Sequence, residues 1–377
     1  MPRAPPLRCA VLIFAVGAEP DGRRYHRRMA APSPASSSHH ALLPLRKVMP
    51  FALVVLLIGG TPIVLSNLVV GTDYVIAAIA GVTLALMGVA LVGGVRGGLF
   101  VIGVTAVAAT VSVAVAPWPI AGAVWLGACG AAVGLSGLRG WIGWTPQLAI
   151  WCAYLVITPP QVGFASMFEG EKIPFSLHAC VVTALVVLAC GLPMVFVTPH
   201  LLRRMPPVPK VPSLPKDAAL LMAICLGLLL LVEAAAVLTE YRVPAAHWLL
   251  LTTLVVAQPS TGRTLRRGIH RAIGTVAGAC IAAAVVLAGT PQEWRMAIAY
   301  VLVYGAGILL LGGRPYWMYA TLLTPAVVLF AEGDVGGLGV TAARLGFTLL
   351  GILLAFGVMV LVSLVERRSP TRRTASA

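Results

Sequence analysis

Acidic side chains are scarce in this sequence. Twelve Asp and Glu stand against 27 Lys and Arg in 377 residues, and charged residues of both signs make up only 10% of the chain. Soluble globular domains carry about a quarter charged residues, so a water-facing surface is excluded for most of the chain. Lysine is rarer still: Lys47, Lys172, Lys210 and Lys216 are the only four, and none lies in a G-x-x-x-x-G-K-[ST] loop. Without that phosphate cradle the sequence holds no ATP-driven engine. There is no H-E-x-x-H pair and no G-x-S-x-G elbow with triad partners, which argues against an enzyme. The seven cysteines, Cys9, Cys129, Cys152, Cys180, Cys190, Cys225 and Cys280, lie mostly inside apolar runs and form no C-x-x-C pair. They read as small hydrophobes rather than a disulfide or metal framework, and no metal or cofactor is expected.

Apolar residues fill the space that charge leaves. They make up 59% of the chain, and the mean hydropathy is +0.95, which implies a polytopic membrane protein whose surroundings are a lipid bilayer. The net charge of +15 and pI near 10.2 do not point to nucleic acid, because basic residues of membrane proteins collect in cytoplasmic loops for insertion reasons. From Val48 onward twelve apolar segments follow: about 48–70, 74–94, 98–116, 119–136, 145–160, 177–198, 218–239, 244–258, 272–289, 294–312, 316–331 and 342–365. Several are shorter than the roughly 20 residues that span a bilayer comfortably.

Placing the N-terminus in the cytosol puts 23 of the 27 Lys and Arg residues on the cytosolic side. Lys172, Arg242, Arg295 and Arg344 fall outside, while Asp73, Glu169, Glu171, Glu240, Glu293, Glu332 and Asp334 mark the opposite face. The positive-inside rule then places both termini in the cytosol of a multi-pass plasma-membrane protein. Residues 1–45, rich in Pro, Ser, Ala and Arg, form a disordered cytosolic tail in this reading. Residues 199–217 hold six prolines and four basic residues, an extended cytosolic linker. It separates a first six-helix half, 46–198, from a second, 218–365, and a basic tail, 366–377, closes the chain.

The halves echo one another. Gly143-Trp144-Thr145 before Thr158-Pro159 parallels Tyr316-Trp317 before Thr324-Pro325. Six spans return the chain to its starting side, so the expected fold is all-α, about twelve transmembrane helices in two parallel six-helix repeats related by an axis along the membrane normal.

One stretch is less generic. Between His247 and Gly278 an apolar run ends at Gln258-Pro259-Ser260, arginines follow, and a second apolar run opens with Gly274 and Gly278. Arg263, Arg267 and Arg271 recur every four residues, so on a helix they share one face, which Gly274 and Gly278 prolong. Small residues at this spacing let another helix approach closely in lipid. His247-Trp248, Gln258-Pro259-Ser260, Thr264, Arg267, Arg271, Gly274-Thr275 and Gly278 together resemble the signature of the fusaric acid resistance family of membrane proteins, which includes aromatic acid exporters. Tyr316-Trp317, Thr324-Pro325, Arg344-Leu345 and Thr348-Leu349-Leu350-Gly351 resemble the remainder of that family's second membrane half. The resemblance covers residues 218–365; residues 46–198 fit in hydropathy and spacing alone. Family members often carry a sizeable soluble domain, for which this sequence offers only the short linker and tail.

The resemblance implies a secondary transporter, an exporter of small aromatic or amphipathic anions driven by the proton gradient. The alternative is a non-transporting membrane assembly or envelope-biogenesis protein acting through its basic loops. Candidate substrate groups are Gln258, Pro259, Arg263, Arg267, Arg271, Tyr316 and Trp317. The arginines either attract an anion at the cytosolic mouth or simply anchor the loop. Pro259 either exposes a backbone carbonyl at a broken helix or ends the helix. Glu233 is the acidic side chain well inside an apolar run, where ionisable groups face a partner or water. It is the candidate for proton coupling, with Arg344 at a matching depth. Trp248, Trp317 and the other tryptophans near span ends read as interface anchors, although Tyr316 and Trp317 also suit an aromatic substrate. Gly274, Gly278 and Gly351 are candidate helix-packing positions. A homo-oligomer or an accessory protein as partner is left open.

Overall fold

A computed structural model describes residues 45–161, 173–203, 212–240, 246–258, 261–311, 314–331 and 337–368. The tail before residue 45, the middle of the linker, Pro259-Ser260 and the last residues lie outside the described residues. Every regular element among the described residues is helical, as lipid demands of a chain that must satisfy its own backbone groups.

The first half contains α1 (Leu45–Val70), α2 (Val75–Met87), α3 (Gly94–Val115), α4 (Pro119–Ser136), α5 (Thr145–Ile157) and α6 (Leu177–Leu202). The second contains α7 (Lys216–Glu240), α8 (His247–Val256), α9 (Thr261–Leu287), α10 (Gln292–Leu311), α11 (Tyr316–Ala331) and α12 (Gly337–Arg368). Local chemistry sets several starts. Prolines sit in the first turns of α4 and α5, where a missing N–H is harmless. The Ser176 hydroxyl accepts the Ala179 N–H at 3.1 Å and caps α6.

Several boundaries differ from expectation, among them α12, which runs past both ends of its expected span, from Gly337 to Arg368. Helix α9 begins at Thr261, so the arginines stand on the helix itself instead of preceding a span at about 272. Nothing between Arg263 and Arg271 breaks a helix, and packing against α11 and α12 carries it through. Helix α6 continues past Pro193 and Pro199 to Leu202, taking the first residues assigned to the linker.

Among the described residues, seven helical runs have the length and hydropathy to cross a membrane: Ala52–Val70, Val75–Val115, Pro119–Arg139, Leu177–Leu202, Lys216–Glu240, Gly262–Leu287 and Ala342–Val360. Thr145–Ile157, His247–Val256 and Tyr316–Leu329 are shorter apolar helices. The longest run doubles back. Gly93 and Gly94 adopt φ of 128° and 57°, conformations that favour glycine. A Cβ on Gly88 would lie 2.9 Å from the Gly97 carbonyl oxygen, whereas nine residues of straight helix would separate the two by about 13 Å. Val75–Val115 is therefore a hairpin of α2, its π-helical extension and α3.

Small residues set the packing. Helix α4 lies along α7, the most extensive pairing among the described residues. Gly127, Gly130 and Gly134 line that contact, and a Cβ on Gly130 would fall 2.8 Å from the Leu226 carbonyl oxygen. Buried Leu126, Ile150, Leu230 and Leu250 knit α4, α5, α7 and α8 into one core, and a second core joins α2, α3 and α6. Large apolar side chains such as Leu68, Ile120, Val232 and Leu353 are exposed, as a lipid-facing exterior requires. In the first half α6 packs on α2 and α3, and α5 on α3 and α4. In the second, α12 packs on α8 and α9, and α11 on α9 and α10.

Candidate functional site

The polar groups of the second half converge where α8, α9, α11 and α12 meet. Trp248 stands one residue into α8 and is only 5% exposed. It is not an interface anchor: the Arg344 guanidinium carbon lies 3.6 Å from its ring centroid, and that of Arg271 lies 5.8 Å away. Arg271 and Arg344 are 2% and 3% exposed. Arg271 comes from well inside α9 and Arg344 from the start of α12, so two arginines expected near opposite membrane faces meet at one indole. A cation over an aromatic face gains about 2 kcal/mol when desolvated, well short of the several kcal/mol that burying each ion costs.

Aromatic groups extend the cluster. Arg271 donates from Nη1 to the Tyr316 hydroxyl at 3.3 Å, and the Arg267 guanidinium carbon lies 4.0 Å from the Tyr316 ring centroid. Tyr316 and Tyr319 pack at 5.8 Å, one turn apart on α11. On the other side the His247 ring contacts Tyr154 of α5 at 3.8 Å and Trp248 at 4.7 Å. Among the described residues, the Nε atoms of Arg267, Arg271 and Arg344 are buried without a hydrogen-bond partner, as are the hydroxyls of Thr252, Thr275, Thr324 and Thr348. Thr252, Thr275 and Thr348 each stand one turn beyond Trp248, Arg271 and Arg344 on the same helices, and i, i+4 positions share a face. Unsatisfied buried donors of this density call for an acceptor.

Glu233 of α7 is 3% exposed. Its Oε1 accepts the Thr253 hydroxyl at 2.7 Å, and that hydroxyl lies 3.5 Å from the Gly351 carbonyl oxygen. Oε2 has no hydrogen-bond partner among the described residues. Arg344 takes Trp248 and Glu233 takes Thr253, so the two groups matched by depth have different partners.

The remaining candidates separate into distinct places. Gln258, fully buried, forms the break after α8. Its N–H donates to the Thr264 hydroxyl at 3.0 Å, that hydroxyl donates back to the Gln258 carbonyl at 3.2 Å, and its Nε2 donates to the Ala257 carbonyl at 3.1 Å. Thr264 thus staples α9 to the end of α8, and the Gln258 side chain is spent on its own backbone. Pro259 lies outside the described residues. Arg263, half-buried, stands near the start of α9, two turns before Arg271. Trp317 is 39% exposed, while its neighbour Tyr316 faces the arginines. A Cβ on Gly274 would fall 2.7 Å from the Trp317 carbonyl oxygen and one on Gly278 2.8 Å from that of Thr321, so α9 presses on α11 at both. Gly351 meets α8 in the same way, 2.9 Å from the Leu249 carbonyl oxygen.

Trp248, Tyr319, Thr253 and the unsatisfied threonines are the participants that sequence reading did not select. Trp248, Thr275, Thr324 and Thr348 left a signal, since they fall among the residues carrying the family resemblance. Thr252 and Thr253 look like ordinary constituents of apolar helices.

A chain of apolar helices with exposed aliphatic side chains and a polar interior is a multi-pass helical membrane protein. Residues 219–358, which hold Glu233, Trp248, Arg271, Tyr316 and Arg344, match the family model described as fusaric acid resistance protein-like. The chain is also similar to a protein of Escherichia coli (strain K12) named uncharacterized protein YhfK, 31% identical over 157 residues. That alignment covers 41% of this chain and 22% of the relative, so the chain spans about a fifth of the length of the curated relative it matches. No solved structure matches the chain.

Proposed function

We propose that the protein is a secondary transporter of the plasma membrane, exporting small aromatic or amphipathic anions in exchange for protons, with both termini in the cytosol. The observation that carries this reading is the pair of buried guanidiniums, Arg271 and Arg344, sharing the Trp248 ring with no carboxylate bonded to either among the described residues. An anion supplies the missing charge, and the aromatic walls accept a flat apolar body beside it. The fusaric acid resistance protein-like match over the same residues supports the same class.

Two like-oriented sets of six helices supply the moving parts. The recurrence of the helix pairings supports this: α6 on α2 and α3 parallels α12 on α8 and α9, and α5 on α3 and α4 parallels α11 on α9 and α10. The α4–α7 and α1–α10 contacts then join the sets at corresponding helices. Rocking of the sets exposes the cluster to either side in turn. Glu233 carries the proton, because protonation of a buried carboxyl group changes both its charge and its bond to Thr253.

Counterflow in vesicles holding the purified protein tests this. Saturable movement of benzoate-type acids, stimulated by a proton gradient, is the expected result. Unchanged flux across a broad anion panel contradicts transport and leaves the membrane-assembly role.

A further inference from the structure

We propose that the cluster around Trp248 is built for a dianion, a compact ring or chain bearing two acidic groups, rather than for a singly charged acid. This rests on the reading of the cluster as the substrate site and goes beyond it in fixing the ligand's charge. Both guanidiniums approach one indole, at 3.6 Å and 5.8 Å from its centroid, which sets them within roughly 10 Å of each other, a distance over which buried charges go unscreened.

Among the described residues, the groups facing them supply no negative charge. Arg344 lies over Trp248 and within electrostatic reach of Arg271 and Tyr154. Arg271 contacts Trp248 and Tyr316 and lies within electrostatic reach of Tyr319, Arg267 and Arg344. Glu233 of α7 accepts the Thr253 hydroxyl instead. A monoanion seated here neutralises one guanidinium and leaves the other buried and uncompensated, which is the most unfavourable arrangement for an ion. A dianion neutralises both.

The donors suit such a ligand. A guanidinium stacked by its face keeps its N–H edge for a carboxylate, and the Nε atoms of Arg271 and Arg344 have no hydrogen-bond partner among the described residues. They leave from different helices, so they present two separate donor edges rather than one fork. The hydroxyls of Thr275 and Thr348, one turn farther along the same two helices and likewise unpartnered, add a donor beside each.

Isothermal titration of the purified full-length protein in detergent with benzoate and with isophthalate, which differ by one carboxylate on the same ring, tests the charge assignment. Isophthalate is expected to bind at least about tenfold more tightly. Arg344→Gln is expected to weaken isophthalate far more than benzoate and so bring the two ligands level, and Arg344→Lys, which keeps the charge, to preserve most of the preference. Equal binding of the two by the unaltered protein overturns the dianion assignment alone, as does a preference that survives Arg344→Gln. Binding of neither ligand overturns the site itself, and with it the transport reading.

Discussion

The guanidinium of Arg344 lies over the ring of Trp248 at 3.6 Å, the shortest of the four cation–aromatic contacts given by the described residues. It joins the first turns of α8 to those of α12, two helices that run in the same direction, since Gly351 meets Leu249 and Thr252 farther along both. The contact is thus a fastening between helices as well as a feature of the site.

Replacing Trp248 tests the fastening. Trp248→Leu removes the face that two guanidiniums share and leaves a void, and it is expected to destabilise the protein by about 2–4 kcal/mol. Trp248→Phe retains an aromatic face and is expected to cost less than half of that. Thermal unfolding in detergent, followed by loss of the monodisperse species, measures both.

Thr253 and Glu233 give a second pair of variants with opposite consequences. Thr253→Val keeps the shape but strips Glu233 of its hydrogen bond, an expected loss of about 1–3 kcal/mol for a buried polar group left unpaired. Glu233→Gln still accepts the Thr253 hydroxyl and is expected to fold normally, yet it has no proton to exchange. Flux driven by a proton gradient should vanish in Glu233→Gln, while downhill exchange of substrate persists. Retention of proton-driven flux in that variant refutes the coupling role.

The α4–α7 contact makes a steric prediction. A Cβ on Gly134 would fall on the backbone of Ala223, whereas one on Gly103, on α3, meets nothing within 4 Å. Gly134→Ala is expected to lower stability by about 1–3 kcal/mol, since backbone cannot yield as a side chain can. Gly103→Ala is expected to be neutral or slightly stabilising, because alanine is the better helix former. Equal melting temperatures for the two variants would contradict the packing.

How much of this is visible in the sequence depends on the kind of signal. Apolar run length is a coarse property of many residues, so the twelve segments from Val48 onward each coincide with a helix. Their ends are less legible: the hydropathy of Thr261–Arg271 is low, and only tertiary packing makes that stretch the start of α9. Arg271 and Arg344 illustrate a deeper limit. A charge near the end of an apolar run is assigned to a membrane face by default, and only the helix arrangement brings these two inward to the same ring. Trp248 follows the same logic, since a tryptophan near a span end reads as an anchor until a neighbour covers it. Glu233 stands out in the sequence because a lone carboxylate in an apolar run has no cheap explanation. Its partner Thr253 does not, because threonine is common in such helices and usually bonds its own backbone, as Thr105 and Thr239 do here.

The central claim is that the buried arginines hold the transported anion, and flux through the Arg271 variant tests it most directly. Arg271→Gln, shown by size-exclusion to fold, is to be compared with the unaltered protein for benzoate and isophthalate counterflow in vesicles. The account predicts a loss of at least about tenfold in transport of both acids, with less effect from Arg263→Gln at the start of α9. Undiminished flux in Arg271→Gln would contradict it.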